Sequence, residues 1–143
     1  MKQPPFPTKE DIVAGWIDLQ LASENSPEWE ESFWSHMLVH DLVNDFPKEA
    51  FDVVLSILES NQSDPVIVAV AAGPVEDILV QHGSEFIDLV EREAKRSPKF
   101  RSMLGGVWRN SMDEVVWLRL TAVWDRRGWD GIPLEAQEAE PQR

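Results

Sequence analysis

Apolar residues along this chain recur at i, i+3 and i+4 more often than at alternate positions, a pattern that predicts helices rather than strands. The first predicted helix covers about residues 9–23 and is capped by Thr8. Its apolar positions are Ile12, Val13, Trp16, Ile17, Leu19 and Leu21, and Gln20 interrupts the stripe. The second, about 28–44, gathers Trp29, Phe33, Trp34, Met37, Leu38 and Leu42 into a broad face expected to meet the core. The third, about 48–60, carries Ala50, Phe51, Val54, Leu55 and Leu58. Residues 66–72, Val-Ile-Val-Ala-Val-Ala-Ala, suit a buried strand by their β-branching and a buried helix by their alanines and Asp64-Pro65 start. Helix is the choice, because no second strand offers itself for pairing.

Gly73-Pro74 then reads as a break. A helix over 75–82 stopped by Gly83 follows, then one over 85–96 capped by Ser84, with Phe86, Ile87, Val90 and Ala94 inward. A short turn over 98–104 closes at Gly105-Gly106. The last helix opens on the capping box Ser111-Met112-Asp113-Glu114 and ends at Gly128, with Val115, Val116, Leu118, Leu120 and Val123 as its stripe. Prolines 27, 47, 65, 74 and 98 each stand just before one of these segments, where a missing N–H is harmless. The pattern predicts an all-α protein, a single domain over 1–133 built as a bundle or short stack of about six to seven helices. HEAT-like pairing is one form such a stack takes, although no residue-level repeat is visible. Residues 134–143 read as an acidic, flexible tail.

Length and composition support a foldable core: 143 residues, 43% of them hydrophobic, including seven Trp. The absence of Cys excludes disulfides, thiolate zinc sites and a cysteine nucleophile. With no apolar leader near the N-terminus and no apolar run longer than 66–72, the expectation is a cytoplasmic protein without a membrane span.

Charge changes the picture more. The formal net charge of −13 argues against nucleic acid and anionic membranes as partners. The charge is also uneven. Residues 1–91 hold three basic and eighteen acidic side chains, a net of −15, whereas residues 92–127 hold nine basic and four acidic, a net of +5. Such asymmetry either serves solubility or steers a basic protein toward the acidic region.

Three groups of residues offer candidate chemistry. His36 and His40, spaced i, i+4, share a helix face as zinc ligands do, but the sequence supplies neither a third ligand nor the glutamate of a zinc peptidase. They read as structural or surface histidines, with a metal site as the alternative. Glu76 and Asp77 open a predicted helix and His82 closes it, positions that suit the helix dipole; a ligand- or partner-binding polar cluster is the other reading. Trp108-Arg109 follows the diglycine, and with Trp124 and Trp129 it forms a core lid or, alternatively, a binding anchor. No phosphate loop, nucleophile elbow or framed acid–base pair is present, and no cofactor is called for.

The string Ala71-Ala72-Gly73-Pro74-Val75-Glu76-Asp77-Ile78-Leu79, then His82-Gly83, and Gly105-Gly106-Val107-Trp108 resembles an uncharacterised bacterial family marked by AAGPxEDxL, HG and GGVW motifs. The likeness covers about 64–128. It implies a helical bacterial domain and draws attention to Gly73, Pro74, Glu76, Asp77, His82, Gly83, Gly106 and Trp108, but it carries no reaction with it. The expectation for function is a non-enzymatic acidic interaction module with a basic protein partner, for instance an immunity or inhibitor protein. The alternatives are a small metal-dependent or acid–base hydrolase using His36 and His40 or Glu76, Asp77 and His82, and an assembly subunit packing through exposed tryptophans.

Overall fold

The computed structural model describes residues 1–139, and the protein is all-α, with no strand among those residues. Its backbone groups into two compact units, Met1–Ala69 and Val70–Arg143.

The first unit begins with α1 (Lys9–Leu21), whose capping box is complete: the Asp11 N–H donates to Thr8 Oγ1 (3.1 Å) and the Thr8 N–H to Asp11 Oδ2 (2.9 Å). Helices α2 (Pro27–Asp45) and α3 (Pro47–Ser60) each start on a proline, as expected, and α4 (Asp64–Val70) follows the Asn61-Gln62-Ser63 turn. Helix α1 packs on α2 and α3, and α3 has Ala50, Val54 and Ile57 fully buried. The proline-rich lead-in is tied down where the Trp34 Nε1–H donates to the Met1 carbonyl (2.8 Å) and the Met1 amine donates to Ser32 Oγ (2.6 Å).

One expectation fails in this unit. Helix α2 does not bury its large apolar residues; its buried positions are Ser32, Ser35, Val39 and Val43, while Phe33 and Met37 stand exposed. The cause is close approach to α1. A Cβ placed on Gly15 would lie 2.8 Å from Trp34 Cζ2 and 3.2 Å from Ser35 Cβ, so α1 can approach α2 closely only because Gly15 lacks a side chain and Ser35 is small. Likewise Leu21, read as part of the α1 stripe, is exposed.

The second unit opens with a π-helical turn, Ala71–Val75, which runs into α5 (Glu76–Arg96). Gly73-Pro74 therefore does not break the chain. In the wider turn the proline, which has no N–H to donate, is accommodated without ending the helix. The stop expected at Gly83 appears as a kink one residue earlier: His82 leaves helical geometry (φ −133°, ψ 24°), and the helix resumes beyond it. Gly83 also permits helix packing, since a Cβ there would meet both methyl groups of Val116 at 3.0 Å. Helix α5 packs on α6 (Pro98–Leu104) and α7 (Glu114–Val123).

Helix α7 is shorter than expected and capped differently. Asp113, not Ser111, accepts the Val115 N–H (3.1 Å), and the helix ends at Val123 rather than Gly128. The chain leaves the helix because the Asp125 N–H is taken by the Arg101 carbonyl (3.0 Å). Its buried positions are Val116, Trp117 and Leu120, whereas Val115 (62% exposed) and Leu118 (58%) face water. Finally, residues 134–138, expected to fray, form α8 (Leu134–Glu138), in which the Gln137 side chain is fully buried. The end of the expected tail, 140–143, lies outside the described residues.

The helical run 64–96 is long and apolar enough to count as a membrane-span candidate by length and composition alone, a test that buried core helices also pass.

The exposure pattern of α7 separates two neighbouring leucines. Leu120→Ala should cost about 2–5 kcal/mol of stability, whereas Leu118→Ala should change it by less than about 0.5 kcal/mol; urea unfolding followed by helical circular dichroism measures both.

Candidate functional site

Glu76 meets the loop that follows the diglycine. Glu76, the first residue of α5 after the π turn, is half-buried and accepts the Trp108 backbone N–H and the Asn110 Nδ2–H (3.3 Å to Oε2). Asn110 holds a left-handed conformation (φ 51°), which asparagine tolerates better than most residues. Glu76 thus fastens the Trp108–Asn110 turn to the start of α5. Burial pushes its carboxyl above the ordinary 4.5 and the Asp77 charge adds to the rise, while the two donors pull it back.

The diglycine ahead of Trp108 is a seat for another tryptophan. A Cβ on Gly106 would lie 2.6–2.9 Å from three atoms of the Trp129 ring, and one on Gly105 would lie 2.3 Å from the Asp125 carbonyl oxygen. The Trp129 Nε1–H donates to the Ser102 carbonyl (2.8 Å), which fixes the ring over the glycines. From the far side the buried Gln137 Nε2 donates to the carbonyls of Gly105 (3.1 Å) and Val107 (3.0 Å). The Arg109 N–H returns a bond to the Gln137 carbonyl (2.8 Å). Trp129 is therefore a lid, as expected, and Trp124 stacks edge-on against Trp117 (5.3 Å between centroids). Trp108 differs: its backbone is fixed while its side chain is 39% exposed.

The other candidates are placed as follows. Arg109 Nε donates to the Met112 carbonyl (3.3 Å), closing its own turn. His82 sits at the irregularity of α5 with its ring beside Phe86 (6.3 Å between centroids). His36 and His40 are exposed on α2. The His36 ring lies against Phe33 (5.3 Å), and His40 Nε2 is 3.3 Å from Asn44 Nδ2. Among the described residues no group of three or more His, Cys, Asp or Glu is arranged to hold a metal ion.

Several residues that organise this unit are not evident from periodicity. Arg119 on α7 reaches both Asp88 and Glu91 on α5, with its Nε donating to Glu91 Oε2 (3.1 Å), and it lowers the Glu91 carboxyl below its usual range. Arg126 donates to the carbonyls of Trp129 (3.1 Å) and Ile132 (2.6 Å) and lies over the Trp124 ring (5.4 Å). Arg101 donates to the Ala94 carbonyl (2.7 Å), and Arg127 pairs with Asp125, holding that carboxyl near about 2. The basic segment thus spends most of its guanidinium groups on internal bonds. Only Asn110 had a local signal, its place in a polar turn after Gly105-Gly106.

Fold and loop define a class: an all-α protein whose second unit is organised around a π turn and a tryptophan-capped diglycine loop. The chain belongs to a family of unknown function, DUF6869, whose model matches residues 22–128. The match starts well before the family-like segment read from sequence at 64–128, so that α2 and α3 belong to the family region too. No curated protein and no solved structure matches the chain.

Two outcomes test this reading of the loop. Gly106→Ala should destabilise by about 1–3 kcal/mol, because the Trp129 ring must move; the urea midpoint and tryptophan emission report it. The raised Glu76 carboxyl means that folding favours its protonated form, so its contribution is favourable at low pH and is lost as pH rises through the folded value. Glu76→Gln should therefore gain stability relative to the parent as pH is raised from about 4 to about 7, read as the difference between urea midpoints at each pH.

Proposed function

We propose that this chain is a non-enzymatic interaction module whose Met1–Ala69 unit binds a basic protein, in the manner of an immunity or inhibitor protein masking a cationic target. The observation that supports it most is the surface of that unit. Residues 1–69 carry thirteen carboxylates against three lysines, and twelve of the thirteen are exposed. Within them the ion pairs among the described residues are those of the Met1 ammonium with Asp18 (3.8 Å) and Glu31 (3.6 Å). A field of one sign on a small unit raises the encounter rate with an oppositely charged protein.

The second unit contributes little to that field, for Asp88 and Glu91 are bridged by Arg119 and Glu76 is tied into the loop. Spending Arg101, Arg109, Arg119, Arg126 and Arg127 internally also weakens the case for a phosphate-binding patch. For the hydrolase alternative the natural acid is Glu76, but its carboxylate is already engaged by Trp108 and Asn110, which suits a strut better than a proton shuttle.

The test is capture of partners by the tagged protein from its native host at rising salt. A basic protein held at about 0.05 M and released by about 0.5 M NaCl is the expected result. A complex indifferent to salt overturns the proposal.

A further inference from the structure

Helix α2 is built inside out for a helix on the surface of a folded unit. Its inward row is Ser32, Ser35, Val39 and Val43, and its large apolar side chains lie outward or at the margins. Around the helix, at about 100° per residue, Trp29, Phe33, Met37 and His40 fall within roughly 40° of one line, with Asn44 continuing it. Phe33 is 36% and Met37 50% exposed, and the Trp29 and Phe33 rings are in contact at 5.0 Å between centroids. Glu30, Asp41 and Asp45 run along one edge of this line, all three exposed. Over its 19 residues α2 has five carboxylates and neither Lys nor Arg.

We infer that this line, Trp29–Phe33–Met37 with its Glu30–Asp41–Asp45 edge, is the docking strip for an amphipathic basic helix of the partner protein. The inference rests on the proposed binding of a basic protein and locates it on one helix face. The strip has the two parts that a helix-on-helix contact needs: anchors at i, i+4 and i+8, and a charged rim of one sign. The rim fixes the sign of the occupant. A helix carrying an apolar stripe flanked by Lys and Arg covers the aromatic and methionine side chains while its cations meet the three carboxylates. A second copy of this chain suits the strip poorly, since α2 packed on its own two-fold mate brings carboxylates against carboxylates with no cation on either helix. An anionic lipid surface is repelled for the same reason.

The probe is a fluorescein-labelled Leu/Lys amphipathic peptide of about eighteen residues, measured by anisotropy against the full chain at low salt, beside a Leu/Glu peptide of the same pattern. The parent should bind the Leu/Lys peptide and not the Leu/Glu one. The double variant Phe33→Ala, Met37→Ala should bind about tenfold more weakly or worse, with its circular dichroism and melting midpoint kept, as befits exposed positions. Glu30→Gln with Asp41→Asn should weaken binding and flatten its salt dependence, whereas Glu10→Gln with Glu59→Gln, exposed carboxylates on other helices, should leave it unchanged. Failure of the parent to bind the Leu/Lys peptide overturns the inference. So does equal loss in the two carboxylate pairs with none in the Phe33, Met37 variant; binding is then spread over the unit and the broader proposal stands. Self-association of the parent that the Phe33, Met37 variant abolishes also overturns it, in favour of a dimer strip. Native-host capture by that variant, undiminished and still salt-sensitive, sinks the strip alone, whereas salt-insensitive capture by the parent sinks the broader proposal.

Discussion

The approach of α1 to α2 at Gly15 sets the character of the first unit's surface. Where a helix turns its small residues toward a neighbour, its backbone comes close and its bulky residues are displaced to the flanks. Here the Trp34 ring fills the space that a Gly15 side chain would occupy, and Ser35 lies beneath it. Ser32 and Ser35 are fully buried, and the Ser35 hydroxyl donates to the Ser32 carbonyl (2.7 Å), so that one polar group is satisfied within the helix itself. The same packing that makes α2 a core element pushes Phe33 and Met37 into water. Exposure of that kind is a cost to solubility unless something covers it.

The distribution of charge follows the division of the chain more than its linear order. The acidic run of 1–91 crosses from one unit to the other, and its later carboxylates meet an arginine of the basic segment inside the second unit, where Arg119 joins Asp88 and Glu91; within the basic segment itself, Arg96 joins Glu93. Arginine suits this use because its planar group satisfies several acceptors at once while keeping its charge. The apparent dipole of the sequence, −15 against +5, is thereby largely cancelled within one unit. What is left is the first unit, at −10 from its side chains.

Much of the fold was legible because proline and cap residues act locally. Pro27, Pro47 and Pro98 mark helix starts in the structure as they do in the sequence. The misreadings have a common cause, which is that long-range contacts outrank local rules. Gly73-Pro74 looks like a break, yet the π turn absorbs it; the stop read at Gly83 falls as a kink on His82, and Gly83 itself makes room for the Val116 methyls. The outward face of α2 was misassigned because periodicity ranks residues by hydrophobicity, whereas Gly15 decides the helix's rotation by size. Gln137 could not have been found by composition, since nothing in a Glu-rich end distinguishes the one amide that reaches the Gly105 and Val107 carbonyls.

For the candidate site the sequence pointed to residues whose observed contacts are structural. Glu76 and Trp108 do come together, but through a backbone N–H, and the motifs around them describe one structural device: a π turn that presents Glu76, a loop that Glu76 holds, and a diglycine that Trp129 and Gln137 close from two sides. Glu76, Asn110, Gly106 and Gln137 are thus occupied in holding the second unit together. Residues held in that way are poorly available for a partner. On α2, by contrast, the exposed carboxylates Glu30, Asp41 and Asp45 border an exposed aromatic and a thioether. The residues of the Glu76 loop thus serve stability, and the docking strip proposed above lies on a different helix.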